Sequence, residues 1–149
     1  MKSCFLFGHA DCPDAMIPRL EQAIESVYLI YNVRYYYVGN RGHFDHLAAT
    51  AVKRVKQRHN DISLLLLLAY HPGERAVELS EGFDNSYYPP LENVPRRYAI
   101  IRANQYMVDT VESIICYVMH FGNTRNLLEY AQRRQIKDGI PIENVAKGK

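Results

Sequence analysis

The sequence predicts an α/β fold, a doubly wound parallel sheet in one domain over residues 1–149. Three observations predict it. Apolar runs of strand length alternate with segments of helical period. Two of the strands run without a break into glycine-bearing turns, CFLFGH at 4–9 and VRYYYVGNRGHFD at 33–45. The run from Ile62 to Ala69 is apolar at nearly every position, which suits a central parallel strand covered on both faces.

Residues 3–8 form the first predicted strand. A helix follows over 16–32, with Ile17, Leu20, Ile24, Val27 and Tyr31 on its apolar face. Pro18 is tolerated only in a first turn, so this helix cannot begin much before Asp14. Val33–Val38 is the second strand. Phe44, Leu47, Ala48, Ala51, Val52 and Val55 then repeat at helical spacing through Arg58. After the 62–69 strand, residues 70–95 show no period and are rich in Pro, Gly and acids. A loop of this length inside a compact domain is usually functional or disordered, and a lid is the functional expectation here. Pro95 opens a helix through about Val108, with Ala99, Ile100, Ala103 and Met107 inward. Ser113–Met119 is the fourth strand. Asn123 or Thr124 caps a helix to about Gln135, with Leu127, Leu128 and Ala131 inward. Residues 140–145 are expected as a short edge strand, and 146–149 as a frayed end.

The chain carries a net charge of +2, with no basic stripe, so nucleic acid is not an expected partner. Its longest apolar run is far shorter than the ~20 residues a membrane span requires. The start MKSCFLFGHAD reads as a strand and not as a secretion signal. Three cysteines without a CxxC pair do not make a disulfide framework, and a reducing cytoplasm is the simplest compartment. The tyrosines of the first helix and second strand (Tyr28, Tyr31, Tyr35 to Tyr37) suggest a homodimer or higher homo-oligomer.

In a doubly wound sheet, ligands bind outside the carboxyl ends of the strands. Those ends carry Gly8-His9, Gly39-Asn40-Arg41-Gly42, Tyr70-His71 and His120-Phe121-Gly122. Backbone N–H groups of Gly39, Asn40 and Gly42, at the start of a helix, can cradle a phosphate, with Arg41 as counter-charge. The plain alternative is a turn that needs glycine for positive φ. Asp45, in the first helical turn, can accept a ribose hydroxyl or cap its own helix. Gly8 allows close approach of a ligand to the backbone. His9 can bond a phosphate or base, or serve as a satisfied structural histidine. Arg97 and Arg102 are candidate phosphate contacts, and Arg96 a weaker one. Tyr87, Tyr88, Pro89 and Pro90 are the lid residues that would stack on a base. His9-x-x-Cys12 and His43-x-x-His46 imitate metal spacing, but zinc sites are usually tighter and richer in Cys, so neither metal nor cofactor is expected. No nucleophile elbow or Walker pattern is present.

Five segments in order, FxFGHxD at 5–11, YYVGNRGHFD, LLLAYHP, RRYAIIRANQYMVD and YVMHFGNTRNLLEYA, carry a resemblance. Together they resemble the SLOG superfamily of Rossmann-like proteins, which includes the Lonely Guy phosphoribohydrolases and the DNA-processing protein A. The likeness spans residues 3–135 and points to a small bacterial branch with a GHR…YVGNxGxFD pattern. It implies a Rossmann-like three-layer αβα domain that binds a nucleotide-derived small molecule related to ADP-ribose or NAD, as a sensor or sequestering protein. It places phosphate binding at Gly122, Asn123 and Thr124, and sets Asn104 and Met107 in an RN…M-like segment, where Met107 suits the core. The alternative it offers is an N-glycosidase acting on a nucleoside monophosphate. That alternative is weakened because Leu127 stands where the hydrolase motif PGGxGTxxE has its glutamate; separately, Ala10 departs from the GHR of the small bacterial branch, so a basic residue is missing there. Glu129, or Glu81 or Asp84 of the long loop, would have to supply the missing carboxylate.

Overall fold

The computed structural model describes residues 2–73 and 78–147. Part of the predicted lid (74–77) and of the predicted frayed end (148–149) lies outside the described residues. Six parallel strands form one sheet in the order β4-β3-β2-β1-β5-β6. They are β1 (Lys2–Gly8), β2 (Val33–Val38), β3 (Ser63–Leu67), β4 (Asn85–Tyr87), β5 (Ser113–Tyr117) and β6 (Ile142–Asn144). The helices are α1 (Ile17–Tyr31), α2 (His43–Arg58), α3 (Ala99–Thr110) and α4 (Asn123–Asp138).

The alternation of β1 sorts the layers. Cys4 and Leu6 face the core beneath α1 and α2, with Leu20, Ile24, Phe44 and Val52. Phe5 and Phe7 face the core beneath α3 and α4, with Ala103, Met107, Leu128 and Ala131. The fold is therefore the expected Rossmann-like three-layer αβα domain. The chain walks outward from β1 to β4, then returns by α3 to place β5 on the other side of β1. In doubly wound sheets, the place where strand order reverses is where ligands bind.

Local chemistry sets the ends of the elements. Pro18 occupies the first turn of α1, and Asn32 closes that helix in the left-handed region at φ 62°. Gly139 closes α4 the same way at φ 72°. The face predicted for α2 is buried throughout. Two inward assignments are corrected: Ile100 is exposed where α3 and α4 part, and Tyr31, at the end of α1, is 40% exposed. Leu127 is half-buried, packed against the α3–α4 core while it lines the same gap.

The long loop is not wholly irregular. Residues 85–87 add β4 parallel to β3, and Asp84 fixes the approach by exchanging bonds with Leu64. Its N–H donates to the Leu64 carbonyl (2.9 Å), and its carboxylate accepts the Leu64 N–H (2.8 Å). Among the described residues no helix is long and apolar enough to cross a membrane.

Candidate functional site

A cleft of about 550 Å³ opens at the reversal of strand order. That volume is within the range of small-molecule sites. Its rim at the strand ends is formed by Gly8 and Ala10 after β1, Gly39, Arg41, Gly42 and Asp45 at the β2–α2 turn, and Asn123 and Thr124 at the start of α4. From there it descends between α3 and α4 over Phe7 and Phe5.

The β2–α2 turn differs from a plain phosphate cradle. Asp45 turns its carboxylate back on the turn, and Oδ2 accepts the N–H groups of Arg41 (2.8 Å) and Gly42 (3.4 Å). Those amides already hold an anion, the protein's own. Burial raises the Asp45 carboxyl above the usual range, opposed by these two amide bonds and by the Arg41 charge. The capping role of Asp45 is thus explicit, while its side chain also lines the cleft. The glycines here do not serve positive φ: among the described glycines only Gly82, Gly122 and Gly139 adopt it. They give room instead. A Cβ on Gly39 would stand 3.1 Å from Asp45 Oδ2, and one on Gly42 would stand 3.2 Å from the Ala10 methyl. Gly42, the residue preceding α2, has no side chain with which to cap, so Asp45→Ala is expected to lose about 1 kcal/mol. An unchanged urea midpoint would remove this capping role.

The start of α4 is arranged the opposite way. Gly122 precedes it at φ 138°, and no side chain caps its first amides and no acid lies in its first turn. A helix start in this state attracts an anion through its dipole and free N–H groups. Of the residues expected here, Asn123 and Thr124 line the cleft and Gly122 does not.

The other expected residues separate. Arg41 lines the cleft with its guanidinium over the Tyr70 ring, 5.2 Å from the centroid, and Arg96 lies over the same ring at 4.5 Å. Asn40, Arg97 and Arg102 do not line the cleft; Arg97 instead stacks on Tyr98 at 4.9 Å. His9 lies beneath the rim. It is buried, its ring stacks on His120 at 3.6 Å, and its Nε2 accepts the His120 backbone N–H (3.2 Å). The satisfied histidine of the sequence analysis is the role this geometry gives it. The lid residues are also elsewhere. The Tyr87 ring meets Tyr37 at 5.5 Å on the sheet, with burial pushing its hydroxyl up to about 12, and Tyr88 meets His71 at 5.3 Å.

Nor do the substitute carboxylates reach the cleft. Glu129 is exposed beside Arg125 (4.0 Å), Asp84 holds Lys56 (2.6 Å), and Glu81 is on the surface. Among the described residues Asp45 is the one carboxylate in the cleft wall. No group of three His, Cys, Asp or Glu among them could hold a metal ion.

Sequence reasoning missed the deeper wall, Gln105, Asn126, Tyr130 and Arg133, and gave Asn104 no role. The available signal was polar residues at helical spacing, at 123, 126, 130 and 133, on a helix otherwise explained by its apolar face. No family model matches the chain, and no curated protein matches its sequence.

Proposed function

We propose that this cleft binds a nucleotide-derived small molecule, related to ADP-ribose or NAD, and that the protein acts as a sensor or sequestering protein of the SLOG type. The observation that carries this reading is the pairing of two opposite devices on one rim. The uncapped start of α4 suits a phosphate, and the Asp45 carboxylate, beside it in the same cleft, suits a sugar hydroxyl. Arg41 adds a cation on the Asp45 side.

Binding without turnover fits the absence of Glu129, Glu81 and Asp84 from the cleft. A glycosidase would have to work through Asp45, whose carboxylate is raised by burial but engaged by two backbone amides. We place the protein in a reducing cytoplasm, where three free, buried cysteines are at ease. We also retain a homo-oligomer. Its natural surface is the end of α1, where Leu29 and Ile30 are 67% and 68% exposed, and not β2, an interior strand whose Tyr36 is fully buried.

The test is thermal unfolding with AMP, ADP-ribose, cyclic ADP-ribose isomers, NAD and cyclic dinucleotides, followed by mass analysis of the recovered ligand. A ligand at a hundred times its Kd adds about 2.7 kcal/mol. For a domain of this size that raises Tm by roughly 5–10 °C. Intact recovered ligand supports the binding reading and cleaved ligand replaces it with the hydrolase. No shift with any member of the panel sinks both.

A further inference from the structure

We propose that the crevice between α3 and α4 is a nucleobase subsite in which Asn104 and Gln105 read the edge of the base; this rests on the nucleotide-binding reading above. The crevice leaves the strand ends at Gly8 and follows β1 downward over Phe7 to Phe5, roughly 10 Å at the rise of a strand. That is about the length of one nucleoside. Its floor is apolar, made by Phe5, Phe7 and Leu127.

Set into these apolar walls are three carboxamides, Asn104 and Gln105 from α3 and Asn126 from α4. Asn104 and Gln105 are half-buried. Yet none of the side-chain hydrogen bonds among the described residues involves any of the three. Their neighbour Tyr130 is, by contrast, fully engaged: its hydroxyl donates to Asp109 (2.9 Å), and Arg133 lies over its ring at 5.4 Å. Asn126 is exposed, but Asn104 and Gln105 are half removed from water without a protein partner, above a floor of two phenyl rings tilted 38° to each other, and this combination suits an apolar-faced ligand that carries donors and acceptors on its edge.

A primary carboxamide offers one donor and one acceptor side by side, and this pair matches a base edge in a bidentate way. A sugar phosphate does not offer that pattern on a planar ring. Hydrogen-bonding groups fix the direction of the ligand. The uncapped start of α4 lies at the strand-end rim with Arg41, where a phosphate belongs, and Asp45 accepts a sugar hydroxyl beside it; the α3–α4 end offers carboxamides, and the one cation lining it among the described residues, Arg133, lies over the Tyr130 ring. The base therefore points down the crevice and the phosphate toward Asn123 and Thr124.

The experiment is calorimetric titration with AMP and with ribose 5-phosphate, which has the same charge and sugar but no base. Wild type is expected to bind AMP roughly 5- to 150-fold more tightly. Asn104→Leu and Gln105→Leu are expected to bring AMP down toward the ribose 5-phosphate value while leaving ribose 5-phosphate unchanged. Because both side chains are only half-buried, the folding of each variant is checked by its own Tm. Equal affinity of wild type for the two probes, or equal weakening of both by the substitutions, overturns the subsite and leaves the cleft's anion site standing. Failure of both probes and of the nucleotide panel overturns the functional reading itself.

Discussion

Replacing Gly8 by alanine is expected to destabilise the fold by about 1–3 kcal/mol, the range for an added group in a filled core. A Cβ at this position would lie 2.6, 2.7 and 2.9 Å from three ring atoms of Phe44. Phe44 cannot yield easily. It is fully buried, and it sits in the first turn of α2 directly before Asp45. Relief therefore requires the ring to tilt or the start of α2 to move, and either change disturbs the Asp45 cap and the cleft rim together. Glycine at the end of β1 is here a packing requirement of α2 against β1, quite apart from any ligand. The check is urea unfolding of Gly8→Ala, Phe44→Leu and the double variant. The smaller leucine should accommodate the new methyl, so the double variant should lose less than the two single losses added. A Gly8→Ala protein as stable as wild type, or strictly additive losses, would show that Phe44 does not set this constraint.

The elements that were legible in the sequence are those whose burial has a period. The α2 face and the β1, β2 and β3 runs declare themselves because each residue's place in the core follows from its own spacing. Strand β4 does not: Asn85, Ser86 and Tyr87 carry no apolar alternation, and they become a strand through the ladder to β3 and the anchoring of Asp84 on Leu64. The rim of the site was legible because glycines, an aspartate and the ends of strands are marked in the sequence. What those residues do was not. Spacing could not show that Asp45 would take the amides of its own turn, since this depends on the carboxylate folding back over Gly39. The deep wall of the cleft was hidden for a different reason. Asn104, Gln105 and Asn126 look like ordinary solvent-facing positions until α3 and α4 are seen to part above Phe5 and Phe7, and the gap between two helices is a property of their packing and not of either helix.

The stacked pair His9 and His120 is expected to make a contribution to stability that peaks near pH 6.5, the ordinary histidine value, with each limb of that contribution owned by one histidine. His120 directs Nδ1 to the Phe121 carbonyl (3.2 Å) and Nε2 to the Asp11 carboxylate (3.1 Å), an arrangement in which both nitrogens donate and the ring is charged. The Phe121 carbonyl first, then Asp11, raises it above its ordinary value of 6.5. His9 is pushed the other way, first by burial and then by the neighbouring His120 charge; Asp11 opposes this and Arg125 adds to it. Its Nε2 must stay unprotonated to accept the His120 N–H. The signs follow from linkage. The unfolded chain binds a proton at His9 near 6.5 that the native state refuses, so the stability His9 provides is present above that pH and lost as pH falls below it. The native state holds the His120 proton beyond 6.5, so that contribution is complete on the acid side and lost as pH rises through the folded value. His9→Gln keeps an acceptor but does not titrate, and should flatten the acid limb alone. His120→Gln should flatten the alkaline limb alone. His9→Leu leaves the His120 N–H without an acceptor and should lose about 1 kcal/mol at neutral pH as well. Urea midpoints between pH 5 and 8 measure all four proteins. Parallel profiles for wild type and His9→Gln would mean that His9 does not hold this end of the sheet closed. If the profiles differ as expected, the loops leaving β1 and β5, the first of which contributes Ala10 to the cleft rim, are tied together by a single proton count: one on His120 and none on His9.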